Sequence, residues 1–433
     1  MLPAVCGRRR RARTCHARDA PIGAPRGTRR AAPRSRRPRA GLRRGFREAV
    51  VTGQLARSIL EHARQHGAPL EDVAGVIVAG IDAGASAKTT LIFLDRSRRP
   101  ALVAKVARDR TAEAGLVDEF EALRQMRGDV VSAAALQIPR PLGLVRIDGR
   151  LALIMTGLDG EPMMSRYYAN GHTDSAEDVG RDFGMAFTWL SDLQSQTSSR
   201  SISLADAAAR WAERVLDRYF EEIGCSAEEE ALFAEASARA QAFGHVEVPV
   251  CASHGDYWMG NLLVGGNRIA GVIDWERAEP RGLPFTDIYK FPTSYGFYLD
   301  RVSHRTGARR SAHPGRENLR ARWARYGDWP NLIGFAYAYF GFGWFPELVR
   351  SSVLRQLDRF GIPSGANWAL FPLFLAEQAL SLPDPSFRAG YRSAIVALSA
   401  ERESTWLWNE SAAEPNGHAV IATERPAAHD VRT

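Results

Sequence analysis

The chain has 433 residues, 45% hydrophobic and 24% charged, the balance of a soluble globular protein longer than one average domain. Its net charge of +8 is deceptive, because residues 1–47 hold sixteen arginines against one aspartate, and that +15 leaves −7 for the rest; the basic total is no argument for a nucleic-acid-binding body. No apolar run reaches the length of a membrane span, and the four cysteines, Cys6, Cys15, Cys225 and Cys251, lack paired spacing, which speaks against zinc and for a reducing, cytoplasmic setting.

Residues 1–43 are rich in Arg, Ala, Pro and Gly and have no hydrophobic periodicity, so they read as a disordered arm. No apolar segment follows the charges, as a secretory signal requires; a transit-like segment or a misassigned start codon are the alternatives. Phe46 to His66 reads as a helix with Val50, Leu55, Ile59 and Leu60 on one stripe. Two strands follow, Val73 to Ala79 and Thr89 to Leu94. The small-residue loop between them includes Gly80, Gly84 and Ser86, whose backbone N–H groups can approach phosphate oxygens. A third strand, Ala101 to Ala107, carries Lys105. A lone charge in an apolar strand is costly unless it is paired or faces water at an edge. Lysine is scarce here: Lys88, Lys105 and Lys290 stand against 54 arginines, so a retained lysine hints at a need for a compact ammonium.

Arg108 to Arg127 reads as a helix bearing Glu113, Glu119 and Glu121. Phe120, Leu123 and Met126 form its stripe and leave Glu119 beside it. One of these glutamates should pair with Lys105. Pro139 to Gly143 leads into a strand, Arg150 to Met155 forms another, and Thr156 to Gly160 is a turn. From Asp174 to about Gly244 the period is helical, with Phe183, Phe187, Leu190 and Leu193 on one stripe and Trp211, Val215, Leu216, Tyr219 and Phe220 on another. Glu228 to Phe243 forms a third helix. The aromatics read as core.

Residues 254–274 are the centre of the chain. Leu262 to Val264 and Ile269 to Ile273 read as two short strands around Gly265-Gly266-Asn267. His254, Asp256, Asn261 and Asp274 then fall in a loop and at strand ends. Asp256 and Asn261 are five apart, and Asp274 follows thirteen later. A carboxylate, an amide and a second carboxylate suit phosphoryl transfer: one orients the attacking hydroxyl, and two supply oxygen ligands for Mg²⁺. Asp287 either accepts hydrogen bonds from this loop's backbone or caps the helix after it. Phe291 to Leu299 and Asn331 to Arg350 read as aromatic-rich helices, Arg301 to Arg320 as an exposed loop, and Trp368 to Leu382 and Phe387 to Leu398 as closing helices. From Asn409 the composition is that of a disordered tail.

HGDYWMGN, with IDWE after the hairpin, resembles the aminoglycoside phosphotransferase and choline kinase superfamily, which writes HGD-x4-N and IDW where protein kinases write HRD and DFG. The resemblance covers roughly residues 70 to 400. It implies an α+β, bilobal, protein-kinase-like fold, with a β-rich N-lobe over 44–157 and a mainly α-helical C-lobe over 158–408. It implies an ATP- and Mg²⁺-dependent small-molecule kinase that phosphorylates a hydroxyl of an aminoglycoside, sugar or amino alcohol. The other reading is a non-catalytic nucleotide-binding scaffold on the same fold. By resemblance Asp256 is the catalytic group, and Asn261 and Asp274 hold the metal. Lys105 grips the α and β phosphates and Glu119, with Glu121 second in line, orients it. Gly80, Gly84 and Ser86 cover the phosphates, and backbone groups at Thr156 and Leu158 read the adenine. His254 is expected as a packed loop residue. Two departures stand out. Gly157 replaces an acidic residue common in relatives. Tyr257-Trp258-Met259 replaces the usual His-Pro near the asparagine, and these rings either line the acceptor site or pack beneath the loop.

Overall fold

The computed structural model describes residues 40–67, 73–81, 88–130, 133–169, 171–306, 313, 316–381 and 384–408. The arm expected over 1–43 lies almost wholly outside these residues, as do the tail from Asn409 and the loop residues Gly84 and Ser86. Thr52–Thr433 forms one compact unit.

In chain order the elements are α1 (Ala40–Gln65), β1 (Gly75–Ile81), β2 (Lys88–Leu94), β3 (Pro100–Ala107), α2 (Arg110–Asp129), β4 (Pro141–Ile147), β5 (Arg150–Thr156), β6 (Glu161–Pro162), α3 (Met163–Tyr167), α4 (Ala176–Thr197), β7 (Arg200–Ser203), α5 (Leu204–Glu222), α6 (Ala227–Ala242), β8 (Glu247–Ser253), β9 (Leu262–Gly265), β10 (Arg268–Val272), β11 (Glu279–Gly282), α7 (Phe285–Thr306), α8 (Arg316–Trp323), α9 (Leu332–Phe340), α10 (Trp344–Asp358), α11 (Asn367–Ser381) and α12 (Pro385–Ala400). The fold is α+β, with a β-rich first part and a mainly helical second, as expected from the sequence.

The first five strands form one antiparallel sheet in the order β1-β2-β3-β5-β4. Side chains alternate between the faces of a strand, and this decides where the lysine points. Leu102, Ala104 and Val106 of β3, with Ala152 and Ile154 of β5, meet Leu55, Ala56, Ile59 and Ala63 of α1 in a small core. The opposite parity, Val103 and Ala107 with Leu153 and Met155, meets α2 and the large core. Lys105 shares the second parity, so it is aimed at α2. That helix starts where the Asp109 carboxylate accepts the Ala112 N–H at 2.9 Å. It buries Ala112, Leu116, Glu119, Leu123 and Met126, a stripe spaced four, three, four and three. Glu119 therefore lies within the stripe rather than beside it, at 0% exposure.

In the second part, α4, α7, α9, α10 and α11 surround an aromatic core that includes Phe183, Phe291, Tyr295, Phe345 and Phe371. Two three-stranded sheets, β10-β9-β6 and β11-β8-β7, lie among these helices. The exposed loop expected over 301–320 is corrected: α7 runs through Thr306 and α8 begins at Arg316. Buried Leu319 and Trp323 anchor α8, two apolar positions that the basic composition hides. The helix expected over 331–350 is broken into α9 and α10 at Gly341–Gly343, where the Gly341 N–H donates to Tyr337 O at 3.0 Å.

Candidate active site

Lys105 Nζ donates to Glu119 Oε1 at 2.6 Å and Oε2 at 2.8 Å, and to Asp274 Oδ1 at 2.6 Å. Of the three glutamates of α2, Glu119 is the partner; Glu121 holds Arg124 at the surface, and Glu113 holds Arg146. Burial works against the lysine's charge, but the carboxylates of Glu119 and Asp274 outweigh it and hold the ammonium well above its ordinary pKa. Burial likewise opposes ionisation of Asp274, and Lys105 overrides it, so this carboxyl stays below its ordinary value. Glu119 Oε1 also accepts the Trp275 N–H at 3.3 Å, which ties α2 to the segment carrying Asp274.

The hairpin β9–β10 brings Asp274 beside Asn261. The Ile273 N–H donates to Asn261 O at 3.0 Å, and the Asn261 N–H to Trp258 O at 2.9 Å. Asp274 has φ +70°, a left-handed conformation that a non-glycine residue adopts at a cost of about 1–3 kcal/mol. Asn261 Nδ2 donates to Asp256 O at 2.9 Å and to Asp256 Oδ2 at 3.2 Å. The amide's nitrogen is thereby turned to Asp256, and its oxygen is left for other work. Among the described residues no group of three or more His, Cys, Asp or Glu could hold a metal. One carboxylate and one amide oxygen fit Mg²⁺, which takes one or two protein ligands and fills its octahedron with phosphate and water.

Asp256 heads the loop between β8 and β9, its side chain 25% exposed. Asp287 fixes this loop from below: Oδ2 accepts the His254 N–H at 2.6 Å and Oδ1 the Gly255 N–H at 2.9 Å. Asp287 lies inside the first turn of α7, so the capping role gives way to the loop-holding one. Gly255 has φ +76°, and a Cβ there would lie 2.2 Å from Arg277 O, so no other residue fits. His254 is fully buried. Its Nε2–H donates to Ile273 O at 3.0 Å, and Nδ1 accepts the Asp256 N–H at 3.3 Å. Acceptance at Nδ1 requires the neutral ring, and burial depresses its pKa accordingly. Tyr257 packs beneath the loop, its hydroxyl donating to Ala186 O at 2.7 Å and its ring stacked on Trp189. Trp258 is half-buried and stacks on Tyr298 at 5.9 Å.

The turn after β5 reaches the hairpin. The Thr156 N–H donates to Arg140 O at 2.9 Å and the Gly157 N–H to Ala101 O at 3.0 Å. The Thr156 N–H is thus committed to the sheet. A Cβ on Gly157 would lie 2.2 Å from Pro100 O; the close approach of β3 leaves no room for an acidic side chain there. Leu158 lies past these bonds and packs on Gly271 of β10, and β6 pairs with β9. Gly80 sits on β1.

Two further lysines, without an assigned role in the sequence reading, lie here. Lys88 pairs with Glu276, two residues after Asp274. Lys290 Nζ lies 3.1 Å from Asp256 Oδ1 and donates to Gln378 Oε1 at 2.5 Å. All three lysines of the chain converge on one site, so their rarity was the available signal.

Residues 77–323, more than half of the chain, match the model of the phosphotransferase enzyme family. No curated protein sequence matches the chain. Among solved structures, an ADP-bound aminoglycoside phosphotransferase, APH(2'')-Ib, is 17% identical, with 70% of this chain and 98% of that chain covered and a TM-score of 0.33. A macrolide 2'-phosphotransferase from Brachybacterium faecium is also 17% identical, over 78% of this chain and 97% of that one, at a TM-score of 0.36. An aminoglycoside phosphotransferase from Streptomyces rimosus in complex with ADP and streptomycin is 15% identical, over 73% and 94%, at 0.30.

Proposed function

The chain belongs to the phosphotransferase enzyme family, and from that premise we propose that it moves the γ-phosphate of ATP to a hydroxyl of a small molecule of the aminoglycoside, sugar or amino-alcohol type, in the cytoplasm. The observation that carries this reading is the Lys105 ammonium held between Glu119 and Asp274, within one unit with Asp256 and Asn261. In this reading residues 44–157 are the nucleotide lobe, and 158–408 carry the transfer loop and the acceptor. Lys105 exchanges its contact with Asp274 for the α and β phosphates, and Glu119 keeps it aimed. Backbone groups of the loop with Gly80, Gly84 and Ser86 cover the phosphates, and those at Leu158 face the purine. Asn261 and Asp274 would hold Mg²⁺, which neutralises charge on the phosphates.

Asp256 accepts a hydrogen bond from the acceptor hydroxyl. The acceptor oxygen bonds to the γ-phosphorus, and the bond from that phosphorus to the bridging oxygen breaks. The electron pair leaves with ADP, and the hydroxyl proton passes to Asp256 and on to water. Positioning and electrostatics supply the rate. An ATP-consumption screen over sugars, aminoglycosides, amino alcohols and macrolides, with Asp256→Asn protein as blank, tests this. Acceptor-dependent ADP release by the wild type alone is expected. A MgATP-dependent thermal shift with no turnover on any acceptor would favour the scaffold reading instead.

A further inference from the structure

We propose that Lys290 is a positioning residue for phosphoryl transfer, an ammonium behind Asp256 that locks its carboxylate toward the acceptor hydroxyl. The proposal rests on the phosphotransferase reading above.

Lys290 lies one turn beyond Asp287 on α7, so the two share a helix face. That face therefore holds the transfer loop twice, by its backbone through Asp287 and by its key side chain through Lys290. Lys290 is 5% exposed. It also donates to Gln378, on α11 and also buried. Stability alone does not explain such an arrangement. A buried ion pair is matched or bettered by apolar residues of the same size, and Lys290 stands between Tyr289 and Phe291 in a helix whose neighbours are aromatic. A lysine kept in a chain that otherwise uses arginine points the same way, since the compact ammonium fits where a planar guanidinium would not.

The chemical consequence lies in the two oxygens of Asp256. Oδ1 meets Lys290 at 3.1 Å, and Oδ2 meets the Asn261 amide at 3.2 Å. With both ends held, the carboxylate cannot swing about its χ2 torsion. The lone pairs left over are thereby fixed in direction for an acceptor hydroxyl. In a transfer with a loose transition state, fixing that direction matters more than the strength of the base.

The test is a double-mutant cycle of Lys290→Met and Asp256→Asn, read as ADP release from MgATP with water as acceptor. Lys290→Met should lower kcat by about 10²-fold with the KM for MgATP little changed. In the Asp256→Asn background the same substitution should cost less than about threefold, because its effect runs through Asp256. Multiplicative losses in the double variant, or a loss confined to KM, would overturn the proposal and leave Lys290 a structural cation. If Lys290→Met fails to fold, Gln378→Met, which releases the ammonium's second partner, should show the same dependence on Asp256 with a smaller loss; independence would overturn it equally. A wild type that binds MgATP but releases no ADP, with water or with any acceptor of the screen, would overturn the phosphotransferase reading, and this proposal with it. An active wild type with multiplicative losses would sink the Lys290 role alone.

Discussion

Two lysines reach this site from different elements. Lys105 comes from the β-sheet and meets two carboxylates, Glu119 at 2.6 Å and Asp274 at 2.6 Å. Lys290 comes from α7 and meets one carboxylate and one amide. The first meets two carboxylates, so under the proposed function it can release Asp274 to a metal and still keep Glu119. The second has no carboxylate to spare, and its contact with Asp256 is fixed. The contrast separates a cation built to exchange partners from one built to hold a partner still.

The sharpest way to break that contrast is at Lys105. Lys105→Met should lower kcat/KM for ATP by about 10²–10³-fold. It should also destabilise the fold by about 3–5 kcal/mol, because Glu119 at 0% exposure loses its cation. Adding Glu119→Gln should recover much of the stability and none of the activity. Recovery of both, measured by thermal melts and ADP release, would make the pair merely structural.

A smaller effect should appear on the α7 side, at His254. Its folded pKa is depressed below the ordinary 6.5. As pH falls through that unfolded value, the unfolded chain takes up a proton before the native one does. The stability contribution of the neutral ring is therefore full above about pH 6.5 and is lost below it. Wild-type melting temperature should fall between about pH 7.5 and about pH 5.5 more steeply than that of His254→Gln. Equal slopes would place the charge of His254 outside the folding equilibrium.

How much of this could be read from residues alone follows the same division. Lys105 was legible because a strand alternates with period two, and one charge in LVAKVAR breaks the apolar pattern. The hairpin was legible from Gly265-Gly266-Asn267 between β-branched runs, and the order of Asp256, Asn261 and Asp274 carried the chemistry. Lys290 was not, because Tyr289 and Phe291 beside it read as helix core and its partner Gln378 lies 88 positions away. Glu119 needed the family resemblance: periodicity placed it beside the apolar stripe, whereas α2 buries it within the stripe. The commitment of Thr156 to Arg140, and the exclusion of a side chain at Gly157 by Pro100, arise from strand pairing that no local pattern announces. Helix α8 was hidden because only two of its positions, Leu319 and Trp323, are apolar anchors among basic residues.

Under the proposed function Asp256 directs a hydroxyl onto the γ-phosphate while Lys105, Asn261 and Asp274 hold the nucleotide. Its most direct test compares wild type and Asp256→Ala under saturating MgATP with an acceptor found active in the screen. In the variant kcat should be lower by about 10²–10⁴-fold, with the KM for ATP nearly unchanged. Equal turnover in the two proteins would contradict it.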